Sequence, residues 1–250
     1  VIRAIHHVGI AVQRLDDAYR LYRDVLGLPL IKEAEVPDQG VRAALLAAGD
    51  SEIELLEPIG ASSGMARFLA RHGEGLHHVC FDTPDAAAEL AAVRDKGADL
   101  IDTTPRAGLA GRIGFLHPRA CAGVLVELAT PDGGGAHHTA LRLKRLIIGA
   151  KEPRDTAAVF QHLFALPEIP MNGGPRVMLG VGRSALLIVP AAEVGGAEGM
   201  LALSMVSDDF PGLVRALEAA GTRGVLRGTG EVTLEPVATH GVHLHISRYE

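Results

Sequence analysis

The chain has 250 residues, 48% of them hydrophobic, and a formal net charge of −6. That is enough material for one large core or two smaller ones, and the acidic balance excludes the broad basic surface that grips nucleic acid or an anionic membrane. No stretch approaches the roughly 18 consecutive apolar residues of a membrane span, and the two cysteines, Cys80 and Cys121, form no CxxC pair. With no signal-peptide pattern at its start, the sequence predicts a cytoplasmic protein with reduced thiols.

In chain order, an apolar strand over 7–12 leads to a segment with apolar residues at 15, 18, 21, 22, 25 and 26, the face of a helix that Gly27 stops. Strands follow near 29–34, 41–48 and 52–57, with Gly49-Asp50 turning between the last two. The order then repeats: a strand over 76–82, Pro84 opening an alanine-rich helix that runs to Lys96, Gly97 as its stop, and strands near 99–102, 112–117 and 123–129. Pro131-Asp132-Gly133-Gly134-Gly135-Ala136 reads as a flexible connector.

Beyond the connector, Leu143-Lys144-Arg145-Leu146-Ile147-Ile148 overlays residues 5–10, and Phe164-Ala165-Leu166-Pro167 matches Leu26-Gly27-Leu28-Pro29 at the same spacing. A fourth copy begins at Leu201, carries a helix from Pro211 to Ala220 and closes with Gly241-Val242-His243-Leu244-His245. The expected architecture is therefore α+β, four βαβββ modules in two pairs, with a domain over 1–130, a linker over 131–142 and a second domain over 143–250.

The repeat carries chemistry. Ile5-His6-His7-Val8 returns as Leu76-His77-His78-Val79, and the later apolar strands Ile53-Glu54-Leu55-Leu56 and Leu125-Val126-Glu127-Leu128 each hold one glutamate. A carboxylate inside an apolar strand is costly unless paired. One divalent cation shared by His7, Glu54, His78 and Glu127 would satisfy all four; this set suits Co, Ni, Mn, Zn or Fe. Alternation sends His6 and His77 to the other sheet face, as packing or outer groups around the ligands. Cys80 reads as an inert core thiol, and His137-His138 as solvated. In the second half the four ligand positions hold Arg145, Leu187, Ala202 and His245, which cannot hold a catalytic metal; a separate site from His240, His243 and His245 lacks a matched carboxylate.

These residues resemble the vicinal oxygen chelate (glyoxalase/bleomycin resistance/dioxygenase) superfamily, whose paired modules form a half-open mixed-sheet barrel with helices outside. Residues 4–130 most resemble its methylmalonyl-CoA epimerases, through His6-His7-Val8-Gly9-Ile10-Ala11-Val12, Gln39-Gly40-Val41, Gly49-Asp50-Ser51-Glu52-Ile53-Glu54-Leu55-Leu56, Gly75-Leu76-His77-His78-Val79, Phe115-Leu116-His117-Pro118 and Gly123-Val124-Leu125-Val126-Glu127-Leu128. Residues 143–250 match only the general module. The resemblance implies a metal-dependent epimerase that removes the proton alpha to an acyl-CoA thioester through a metal-stabilised enediolate. It implies His7, Glu54, His78 and Glu127 as ligands; Glu127 is then the first candidate for proton acceptor, and for the opposite face the chain offers Glu52 or a water held by Gln39. Where the best-described epimerases carry a second catalytic glutamate, this chain has Ala43. The basic run Arg142, Lys144 and Arg145 reads as a solvated strand edge sooner than as a coenzyme A phosphate site.

A glyoxalase-like lyase would suit the same four ligands, and a non-catalytic small-molecule binder would have no need of them. A homodimer is allowed, although the internal duplication can stand in for the second subunit that two-module relatives use.

Overall fold

The computed structural model describes residues 1–133, 137–222, 224–226 (as backbone) and 230–249. The connector residues Gly134, Gly135 and Ala136 lie outside the described residues.

The first module comprises β1 (Ala4–Ala11), α1 (Leu15–Tyr19), β2 (Leu30–Val36), β3 (Val41–Ala48), β4 (Ser51–Pro58) and α2 (Gly64–His72). The second comprises β5 (Gly75–Asp82), α3 (Ala86–Asp95), β6 (Arg106–Gly108), β7 (Gly111–Leu116) and β8 (Val126–Pro131). The third has β9 (Leu141–Ala150), α4 (Pro153–Phe164), β10 (Glu168–Ile169), β11 (Val177–Val181) and β12 (Ser184–Pro190). The fourth has β13 (Gly199–Ser207), α5 (Phe210–Ala219), β14 (Gly224–Leu226), β15 (Glu231–Leu234) and β16 (His243–Ser247).

Local chemistry accounts for the helix ends. The Asp85 carboxylate accepts from the Ala88 amide at the start of α3, and Asp209 does the same for Gly212 in α5. Pro153 occupies the first turn of α4, where its missing N–H costs nothing, and Ala165 ends that helix in the left-handed conformation at φ 56°. The apolar face anticipated over 15–26 is buried at Leu15, Ala18, Leu21, Tyr22 and Leu26, but the helix widens to a π-helical turn over Arg20–Val25.

The strands form two eight-stranded sheets, ordered β2-β3-β4-β1-β5-β8-β7-β6 and β10-β11-β12-β9-β13-β16-β15-β14. The second order is the first repeated, the structural counterpart of the sequence repeat, and both sheets mix parallel and antiparallel pairs. The α+β plan of repeated modules is therefore present. Among the described residues no helix is long and apolar enough to cross a membrane.

One helix is added to the expected elements and two local expectations are corrected. A helix, α2, fills the segment between β4 and β5, capped by the Ser63 hydroxyl, which accepts from the Ala66 amide. No strand forms over 99–102. There Leu100 makes a single bridge to Leu116, the Ile101 and Asp102 amides both donate to the Phe115 carbonyl, and the Asp102 carboxylate accepts from the Phe115 amide and Arg106 Nε, so regular pairing is interrupted and resumes at β6. Finally, β9 is not an edge: it lies between β12 and β13. Arg142 on it pairs with Asp208 at 2.9 Å, and Lys144 Nζ donates to the Tyr249 carbonyl at 2.8 Å.

The chain packs as two compact units, each drawn from both halves of the sequence. One contains Val1–His7, His78–Gly135 and Arg145–Leu201; the other contains Val8–His77, Ala136–Lys144 and Ala202–Glu250. In the first, Phe81 of β5 meets Phe164 of α4 edge-on, ring centres 5.2 Å apart, and Phe160 is fully buried. In the second, the buried Tyr22 hydroxyl donates to the Thr239 carbonyl at 2.9 Å.

Candidate metal centre

The first unit brings together three residues that the sequence singles out. Arg3 N donates to Asp82 O at 2.9 Å, which fixes β1 against β5 so that His7 falls opposite His78. Parallel pairing then sets Cys80 of β5 beside Glu127 of β8. Alternation gives His78 and Cys80 one face, and Glu127 shares it through that register.

The side chains converge. His7 Nε2 lies 2.9 Å from His78 Nε2, Glu127 Oε2 is 3.1 Å from His78 Nε2, and it is 3.7 Å from His7 Nε2. All three residues are buried, Glu127 at 5% exposure. Burial alone would raise the Glu127 pKa, but hydrogen bonds from His7 and His78 outweigh it and hold the carboxyl well below the usual carboxylate range. The acid is thus a buried anion facing two imidazole nitrogens. Atoms held about 2.0–2.2 Å from one cation lie roughly 3–3.5 Å apart, and the observed separations fall close to that range. The donor set fits a divalent metal.

His6 has a role that alternation hides. Its Nδ1 is 2.8 Å from His7 Nδ1, and burial, followed by the neighbouring His7, lowers its pKa to about 3, so His6 is neutral. One of the two Nδ1 atoms carries the proton and the other accepts it, which steadies the His7 ring and leaves Nε2 aimed at His78 and Glu127. The doubled His-His in the sequence is the signal for this contact. His77 packs edge-on against Phe68, ring centres 4.7 Å apart. His6, His7 and Cys80 also form a group of potential ligands, with Cys80 fully buried beside Ile113 and Phe115.

The remaining candidates lie on the second unit. Glu54 is buried on β4, aligned with Leu45 of β3, and Glu52 shares its face by alternation. Glu52 Oε1 is 3.8 Å from His137 Nε2, so the acid and the histidine expected to be solvated are neighbours. Ala43, aligned with Leu56, is on the same face of β3 as Leu45 and is buried at 1% exposure. Gln39 is half-buried in the turn before β3. The adjoining Gly40 has φ 66° and a Cβ there would sit 2.8 Å from Ser63 Cβ, so glycine is required.

The C-terminal positions differ as the sequence implies. His240 Nδ1 is 2.9 Å from Glu74 Oε2, His243 Nδ1 is 3.8 Å from Glu235 Oε2, and His245 Nδ1 is 3.3 Å from Thr233 Oγ1, so these histidines have separate partners. Among the described residues, no group of three or more clustered potential metal ligands includes a residue of the C-terminal modules.

Comparison with known proteins agrees with this division. Residues 6–116 match the model of the Glyoxalase/Bleomycin resistance protein/Dioxygenase superfamily. The ethylmalonyl-CoA/methylmalonyl-CoA epimerase of Cereibacter sphaeroides is 35% identical over 131 residues, which cover 51% of this chain and 98% of that protein. A variant of Streptomyces coelicolor methylmalonyl-CoA epimerase, solved in complex with 2-nitronate-propionyl-CoA, superposes with a TM-score of 0.52 at 40% identity, covering 53% of this chain and all (100%) of that one. A variant of 4-hydroxymandelate synthase from Streptomyces coelicolor superposes with a TM-score of 0.74, covering 98% of this chain and 92% of that one. At 15% identity that likeness speaks to the fold alone, and it extends the fold through the C-terminal modules. The N-terminal half is thus related to acyl-CoA epimerases, and the chain belongs to the glyoxalase/bleomycin resistance protein/dioxygenase superfamily.

Proposed function

We propose that the chain is a metal-dependent epimerase that exchanges the proton alpha to the thioester of a methylmalonyl-type acyl-CoA. The observation that carries the reading is the convergence of His7, His78 and Glu127 in the stretch of chain that is related to epimerases. Those three, with Glu54 as the fourth, would hold one divalent cation. When bound, the cation supplies Lewis-acid stabilisation of negative charge developing on the thioester oxygen.

The protein's own groups then have distinct tasks. The depressed carboxyl of Glu127 keeps that ligand free of a proton that would compete with a cation. Glu127, already ionised, is the first candidate to take the alpha proton on one face of the substrate. Glu52 is the candidate for the other face. Ala43 leaves a methyl where the family's second acid stands, so proton exchange is expected to outrun inversion. The C-terminal modules supply scaffold without a second metal centre.

Metal-replete protein given methylmalonyl-CoA in deuterated water should incorporate deuterium at carbon 2 and, more slowly, interconvert the epimers. Ala43→Glu should raise inversion more than exchange, at some cost in stability because the new carboxylate enters a buried position. Neither exchange nor inversion with this or a close acyl-CoA would defeat the epimerase reading. A lyase acting on 2-oxoaldehyde thiol adducts would then be tested on the same ligands.

A further inference from the structure

The third module keeps the strand plan of the first but replaces its ligands, and one replacement is a cation. Arg145 occupies on β9 the repeat position that His7 occupies on β1. It aligns with Ala185 of β12, which aligns with Gly180 of β11; in the next row of the same face, Ile147, Leu187 and Met178 align in turn. The other face of these strands is closed, with Leu146, Leu186 and Leu179 all 0% exposed, and α4 packs on β11 and β12. The face bearing Arg145 is only partly covered: Ile169 lies over Gly180 and Leu201 over Gly149 at its two ends, and the row between them is less enclosed. Arg145, Ile147, Leu187 and Met178 each keep part of their surface in solvent.

Arg145 also differs from Arg142 in that, among the described residues, its side chain has no counter-charge. Arg142 and Lys144 are engaged, whereas no hydrogen bond or ion pair joins the Arg145 side chain to another described residue. A half-buried guanidinium beside an apolar row gains nothing from the fold itself. It suits a ligand that brings both a negative charge and hydrocarbon.

We propose that this face binds a small organic carboxylate with an aliphatic body. The carboxylate would pair in bidentate fashion with the Arg145 guanidinium, and the chain would cover Ile147, Leu187 and Met178. A free phosphate would use the charge but leave the apolar row wet, so the face selects for carboxylates that carry a chain. The site is separate from the ligand set around His7 and independent of the epimerase reading.

Titration of metal-free full-length protein with hexanoate tests this without interference from the metal centre. One saturable site is expected. Arg145→Leu should weaken it at least about tenfold, the equivalent of one charged hydrogen bond, and Arg145→Lys should retain part of the affinity. Leu187→Glu should abolish binding by repulsion, and acetate should bind at least about tenfold more weakly than hexanoate for want of the apolar contact. Since Arg145 has no acidic partner among the described residues to strand, Arg145→Leu should keep its thermal midpoint and its metal loading. Absence of saturable hexanoate binding, equal binding by Arg145→Leu, or competition by inorganic phosphate at the same concentration would each overturn the proposal. Should one variant fail to fold, the acetate and phosphate arms on the unaltered protein still decide it.

Discussion

Glu127 sits 3.1 Å from His78 and 3.7 Å from His7, all three buried, so each depends on the other two. Removing His78 leaves a buried anion with half its partners. His78→Ala is therefore expected to reduce metal affinity beyond the 10–100-fold typical of losing an outer partner, and to lower the stability of the metal-free protein as well. His6→Ala should fall within about 10–100-fold, since it touches only the far nitrogen of His7. Titration of the purified variants with cobalt, read by its visible absorption, separates the cases. Equal affinities in wild type and both variants would place the metal elsewhere. His7 and His78 were legible in the sequence because duplication printed them twice. The His6–His7 contact was not, because alternation describes where a side chain leaves the strand and not where a ring can bend back.

At the scale of elements, α1, β2 and β3 are tied through one carboxylate. The Tyr19 hydroxyl donates to Glu33 at 2.5 Å and Arg42 Nε donates to it at 2.8 Å. The Tyr19 bond, then Arg42, hold the Glu33 carboxyl below its ordinary value. A carboxyl depressed on folding contributes stability above its unfolded pKa, about 4.3, and loses it as pH falls through the lower folded value. Glu33→Gln should thus lose stability at pH 7 but converge with wild type on acidification; parallel unfolding curves at every pH would contradict this. The β7–β8 hairpin depends on Gly111, whose φ is 130° and whose added Cβ would lie 2.4 Å from the Thr130 carbonyl oxygen. Gly111→Ala is expected to cost more than about 2 kcal/mol, against about 1 kcal/mol for Gly27→Ala, where φ is 70° and nothing lies within 4 Å. Urea midpoints with unchanged slopes would measure both. Strands were legible wherever apolar residues alternate, but Asp102 shows the limit: its side chain takes the Phe115 amide while two main-chain amides share the Phe115 carbonyl, and no periodicity records a ladder interrupted in this way.

For the whole molecule, the repeated strand order and the unequal ligand positions together imply one metal per chain. Elemental analysis of protein loaded and then desalted should return one equivalent, and two would show that the C-terminal half has recruited ligands of its own. Four modules were readable from spacing, and the lost ligands at Arg145, Leu187, Ala202 and His245 were readable by overlay. The assignment of modules to compact units was not, because a hydrophobic pattern shows that a strand has a buried face without naming what covers it.

That assignment has a temporal consequence. β1 is shared out at its middle, His7 to one unit and Val8 to the other, and the unit holding His7 draws on sequence as far as Leu201. During synthesis from the N-terminus, Glu127 is made well before either unit has all its parts, so the nascent ligands wait among unfinished sheets with bare edges. Contacts between residues so distant in sequence also favour slow closure. Chains halted on the ribosome after residue 135 should consequently retain little metal, while chains released at full length should retain it. Equal retention would mean that the first two modules organise the centre before the rest of the protein exists.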